Sequence, residues 1–109
     1  MKPEILDLCL SFCNLLCSFG IKGKYTVYKK DNSFDVVIFT QDIYKTITCE
    51  ISMSISDNDF YIDKDLHFVK KGVIGTRDIA FSQVVETTFV DLSYSICEVV
   101  KSHGVKIRY

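Results

Sequence analysis

Between Lys45 and Ser56 the chain reads KTITCEISMSIS. Ile47, Cys49, Ile51, Met53 and Ile55 fall on one parity; Thr46, Thr48, Glu50, Ser52, Ser54 and Ser56 fall on the other. Side chains of a strand point alternately to its two faces, so a period of two held this long specifies a β-strand with one apolar face and one wet face. Such a strand needs covering on one side only. Antiparallel sheets meet that condition, whereas parallel sheets are buried on both faces.

The flanking segments extend the sheet. KYTVYKK (Lys24 to Lys30) leads through the turn-forming Asp31, Asn32 and Ser33 into FDVVIFT (Phe34 to Thr40), which reads as a hairpin. Asp57, Asn58 and Asp59 turn the chain into a strand from Phe60 to Asp63, and Leu66 and Phe68 continue the sheet. These connections are too short for crossovers, so the strands form an antiparallel meander. The tail VKIRY alternates Val105, Ile107 and Tyr109 with Lys106 and Arg108 and adds an edge strand.

Two helices bracket the strands. Pro3 suits a first helical position and Gly20 the residue just past an end, giving a helix from about Pro3 to Phe19. Its polar residues, Glu4, Asp7, Ser11, Asn14 and Ser18, occupy a stripe only about 80° wide. A helix with so narrow a wet face is either sunk in the fold or covered on a second side by another chain. The second helix runs from about Asp78 to His103 and stops at Gly104, with Phe81, Val84, Val85, Phe89, Leu92, Ile96 and Val99 as its core stripe. Val90, Tyr94 and Cys97 lie off that stripe. The expected architecture is one α+β domain over residues 1–109. It has two layers: an antiparallel β-meander of four to five strands, and the N-terminal and C-terminal helices packed on its apolar face.

Cys9, Cys13 and Cys17 recur every fourth residue of the first helix, at about 140°, 180° and 220° from Glu4. The polar stripe is centred near ~320°, so all three thiols are expected to face the core. They span about 12 Å along the helix axis, too far for one zinc ion, whose ligands stand within ~4 Å of each other. The remaining candidates, His67, His103, Cys49 and Cys97, show no paired ligand spacing, and neither histidine has a local nucleophile or carboxylate to suggest a triad. No metal, cofactor or catalytic residue is therefore expected, and a cysteine-dependent enzyme is the least favoured reading. With an odd count of five cysteines and no secretory signal pattern, the chain reads as a cytoplasmic protein with free thiols, and no segment reads as a membrane span.

The net charge of −1 argues against a strongly basic nucleic-acid binder. Single Pro and Ala residues and abundant Lys, Ile, Phe and Asp resemble coding from AT-rich DNA, as in many mobile elements. Asp57, Asp59 and Asp63 belong to an acidic run, but an EF-hand counted from Asp57 needs Gly and Glu where Ile62 and Phe68 stand. The G-x-x-G between Gly72 and Gly75 is similar to the loop of KH RNA-binding domains in those four residues alone. Its inner positions, Val73 and Ile74, are not basic, and a strand precedes it. The expectation that best fits is a small non-enzymatic protein-binding protein. It would neutralise a partner such as a toxin or effector, as immunity, antitoxin-type or mobile-element-encoded inhibitors do, or it would form a homodimer. Its contact residues would be Val90, Tyr94 and Cys97, with Asp57, Asp59 and Asp63 meeting basic groups. The alternative is a nucleic-acid-binding accessory protein using Lys22, Lys24, Tyr28, Lys29, Lys30 and the glycine loop. Those lysines equally suit a guarded sheet edge.

Overall fold

The alternating segment becomes the central strand of the sheet. In the computed structural model, which describes residues 3–72 and 75–108, the order is α1 (Pro3–Ser18), β1 (Lys22–Lys29), β2 (Ser33–Gln41), β3 (Ile47–Ser56), β4 (Asp59–Ile62), β5 (His67–Lys70), α2 (Thr76–Ser102) and β6 (Lys106–Arg108). β2 pairs antiparallel along one side of β3, with Ile38 opposite Ile51 and Thr40 opposite Cys49. On the other side two short strands share the edge: β4 along Met53–Ile55 and β5 along Ile47–Glu50. β1 lies outside β2, and β6 lies outside β4.

The α+β class and the two helix positions match the sequence pattern, but the sheet has six strands rather than four or five, and one pairing is parallel. β6 runs parallel to β4 because α2 intervenes and supplies the long crossover that parallel pairing needs. Val73 and Ile74, the inner residues of the glycine loop, lie outside the described residues, as does Tyr109 of the tail.

One row of side chains forms the floor of the core. Ile47, Cys49, Ile51, Met53 and Ile55 of β3 are buried together with Val36 and Ile38 of β2. Thr40 completes the β2 row, and its hydroxyl donates to the Cys49 carbonyl at 2.9 Å, so its burial leaves no polar group unmatched. Both helices cover this face. α1 lies directly on β1: a Cβ placed on Gly23 would stand 3.2 Å from Cys13 Cα and 3.4 Å from its Cβ and Sγ. α2 is held over β5 by Phe81, whose ring meets Phe68 edge to face at 6.1 Å, and by the buried ion pair between Lys70 and Asp78. Asp78 also accepts from the Gly75 N–H at 2.7 Å, which caps the helix start.

α1 is not sunk in the fold. It buries one stripe, Ile5, Cys9, Phe12, Cys13 and Leu16, while Leu10, Leu15 and Phe19 are exposed. Cys17, expected in the core, is exposed as well. The reason is geometric: α1 is flanked by sheet below and α2 on one side, and β1 is the outermost strand, so among the described residues no element covers the flank on which Cys17 falls.

The β2–β3 turn is organised by Asp42. Its carboxylate accepts from the Thr46 N–H at 2.7 Å, the Thr46 hydroxyl at 2.7 Å and the Ile47 N–H at 3.1 Å. Burial alone would raise its pKa, but these donors outweigh that effect and hold the carboxyl below its usual range. We expect Asp42→Ala to lower stability by about 2 kcal/mol in urea unfolding. Because the folded pKa is depressed, the Asp42 contribution is complete above the ordinary carboxylate pKa and is lost as pH falls through the folded value, so the deficit of Asp42→Asn should shrink on acidification. A second expectation concerns the helix seat: Gly23→Val should lift α1 from β1 and cost about 1–3 kcal/mol by the same measurement.

Candidate functional site

α2 presents two faces. Residues three and four apart share a side of a helix. Phe81, Val85, Leu92, Ile96 and Val100 turn to the core, and Glu86, Val90, Tyr94, Cys97 and Lys101 turn outward. The outward face is one wall of a groove of about 650 Å³. The opposite wall is Lys64, Asp65 and Leu66, the segment linking β4 to β5. Phe89 and Ser93, both buried, and half-buried Leu66 form its inner surface.

Val90 is 64% exposed and Tyr94 73% exposed, large values for apolar and aromatic side chains beside a concavity. Cys97 is half-buried below them. Charges of both signs rim the groove, with Lys64 and Lys101 among Asp65, Glu86 and Glu98. An apolar centre inside a mixed polar rim is the anatomy of a protein–protein contact patch.

The structure thus brings Val90, Tyr94 and Cys97 together in one groove. It places the three expected carboxylates elsewhere. Asp57 is exposed in the β3–β4 turn, and Asp59 is tied to Ser56 and Arg108. Asp63, half-buried, directly precedes the Lys64–Leu66 wall without lining the groove. The acidic groups beside Tyr94 are Asp65, Glu86 and Glu98. Sequence reading missed this second wall because Leu66 looks like a strand residue. The signal was the charged DKDL run, which interrupts the edge of the sheet.

Lys22, Lys24 and Tyr28 lie on the helix-free face of β1, Lys29 ends the strand on the opposite parity and Lys30 follows it. Carboxylates are interleaved with them. Lys30 pairs with Asp35 at 2.6 Å, and this contact holds the Asp35 carboxyl below its usual range. Lys24 stands across Phe39 from Glu50. A track for a polyanion needs a surface of one sign, and this one alternates.

The buried thiols are poorly suited to nucleophilic chemistry. Burial, together with neighbouring Cys13, pushes Cys9 from 9.0 up to about 12. Burial raises Cys13 and pushes Cys49 up to about 11. The thiolate is the reactive form, so these sulfurs stay protonated and inert at neutral pH. Among the described residues, no group of three or more His, Cys, Asp or Glu side chains is placed to hold a metal ion, and no helix is long and apolar enough to cross a membrane. No protein-family model, curated protein or solved structure matches the chain.

Alkylation of the native protein near neutral pH should modify Cys17 first and Cys97 second, leaving Cys9, Cys13 and Cys49 intact; mass spectrometry of digested protein reads the order. The raised thiol pKa values also carry a stability consequence. An unfolded chain ionises its thiols near 9.0, whereas the fold resists ionisation up to about 11–12. Melting temperature should therefore fall as pH rises from 9 toward 12, and Cys9→Ala should flatten part of that fall.

Proposed function

We propose that this chain is a non-enzymatic protein-binding protein that neutralises its partner by covering part of the partner's surface, as immunity proteins and antitoxin-type inhibitors do. The contact is centred on the groove between α2 and the Lys64–Leu66 segment. The observation that carries this reading is the exposure of Val90 and Tyr94 at the lip of this groove. Folding alone gives no reason to leave these two side chains in water. A bound partner that fills the groove would remove both from solvent, and an exposed tyrosine is among the side chains that most often dominate such contacts.

The charged rim supplies orientation. Lys101 and Lys64 can meet acidic groups, and Glu86, Glu98 and Asp65 can meet basic ones, so a partner is selected by the arrangement of its charges rather than by its net charge. The lysine hairpin supports nucleic-acid binding less well, because Asp35 and Glu50 stand among its cations.

The test is affinity capture from cells carrying the gene, followed by measurement of the recovered complex. Tyr94→Arg and Val90→Arg change exposed side chains and should leave the melting temperature nearly unaltered. Each is expected to weaken partner binding roughly ten-fold or more. A partner held equally well by both variants, or recovery abolished by nuclease, overturns the proposal.

A further inference from the structure

The hydroxyl of Ser93 is left over by the fold. Among the described residues the buried polar side chains are Thr40, Asp78, Thr88 and Ser93. The first three are answered within the protein. Thr40 donates to the Cys49 carbonyl, Thr88 donates to the Val84 carbonyl at 2.6 Å, and Asp78 pairs with Lys70 and accepts from the Gly75 N–H. Ser93, only 8% exposed, has no hydrogen-bond partner among the described residues. No described side-chain N or O atom shut off from solvent lacks a partner, so what remains open of Ser93 includes its hydroxyl, and it opens into the groove that the residue lines. A hydroxyl on a helix can return its proton to a carbonyl of the preceding turn, as those of Ser18, Thr88 and Ser102 do here. Ser93 forgoes that bond, and a buried hydroxyl in that state gains from a polar group brought in from outside.

The surroundings of that hydroxyl fit a cation. The groove lining sets three carboxylates, Asp65, Glu86 and Glu98, against two ammonium groups, Lys64 and Lys101. Lys64 is already engaged within the protein. Lys101 stands about 12 Å along the helix axis from Ser93 and ~80° round it, whereas Glu86 lies about 10 Å the other way and only ~20° round. Glu86 also reaches inward. Burial is the main cause that raises the Cys49 thiol, and the charges of Glu50 and Glu86 add to it. Phe89 and Val90 form the wall between Glu86 and Ser93, and Tyr94 beside them offers a ring 73% exposed. An acceptor hydroxyl, a carboxylate and open aromatic surface are the groups that hold a guanidinium. An acidic side chain would meet the excess of carboxylates, and a wholly apolar one would leave the Ser93 hydroxyl dry and unbonded.

We infer that the groove takes an arginine side chain of the partner protein, its stem along Phe89 and Leu66 and its guanidinium donating to Ser93 Oγ and to the Glu86 carboxylate. This rests on the groove being a protein contact, and names the anchor of that contact. The planar fork of guanidinium donors can serve both acceptors at once, which a lysine ammonium on its single point of charge does less well. Lys101, at the far end of the groove, stays free to meet an acidic group of the same partner.

Amide NMR of the labelled protein titrated with capped arginine (N-acetyl-arginine N-methylamide) tests the pocket without the partner. A fragment of that size should bind with a Kd on the order of millimolar. Saturating shifts should gather at Glu86, Phe89, Val90, Ser93, Tyr94 and Cys97. Capped lysine, glutamine and glutamate should bind roughly five-fold more weakly or worse. Ser93→Ala and Glu86→Gln should each weaken arginine binding roughly five-fold. Ser93→Ala removes a hydroxyl that bonds nothing in the protein and suits a helix better, so its melting temperature should hold or rise. No saturable shifts in the groove, equal binding of capped glutamine, or indifference of either variant overturns the proposal. Tighter binding of free arginine does so too, since it would mark a site for the amino acid itself. Partner capture separates this failure from failure of the contact. If Tyr94→Arg weakens the partner while capped arginine does not bind, the anchor falls and the contact stands. If arginine binds but the partner is indifferent to Tyr94→Arg, the contact falls and the anchor with it.

Discussion

A row of apolar side chains on one face of β3 has to be taken out of water, and the opposite face of the same strand has to stay wet. That constraint sets the layer count, because helices are needed on one side of the sheet and excluded from the other. The chain meets it with a helix from each end of the sequence: α1 over β1 and α2 over β5. Thr40 shows how tightly the floor is specified. It is the one polar side chain in the inward row of β2, and it is tolerated because the Cys49 carbonyl lies across from it. The three thiols that share this interior act as small apolar side chains whose ionisation the fold suppresses.

Much of this was legible in the residues. The inward row of β3, the hairpin before it and the extents of both helices follow from periodicity and from Pro and Gly at the ends, because each is a local property of the chain. What sequence could not show is how many neighbours an apolar side chain finds. A helical wheel places Cys17 away from the polar stripe of α1 but cannot reveal that the strand beneath is the last one. The same limit applies to Val90 and Tyr94. Their offset from the core stripe was visible, whereas the wall opposite them depends on where the chain between β4 and β5 runs. The parallel pairing of β6 with β4 was hidden for another reason: alternation in the tail marks a strand but names no partner, and that partner lies across the whole of α2.

The groove and the bare edge of β1 have a common origin. Two helices side by side each leave one flank without a helical neighbour. For α1 that flank carries Leu10 and Cys17; for α2 the outward face carries Val90 and Tyr94. The charges at the two margins differ in kind. β1 carries Lys22, Lys24 and Lys29 and no acidic residue, which guards an open edge, while the groove carries both signs and suits a dissimilar surface.

The division of the β3 edge between β4 and β5 has a consequence for how the molecule opens. α2 is fastened to a different piece at each end: to β5 through Phe81 and Asp78, and to β4 through the β6 strand that follows it. Since the Lys64–Leu66 segment makes no ladder with β3, release of one piece need not unzip the other. The helix is thus the tie between the two halves of that margin, and the lip of the groove spans the seam between them, so a bound partner would add a second tie across it.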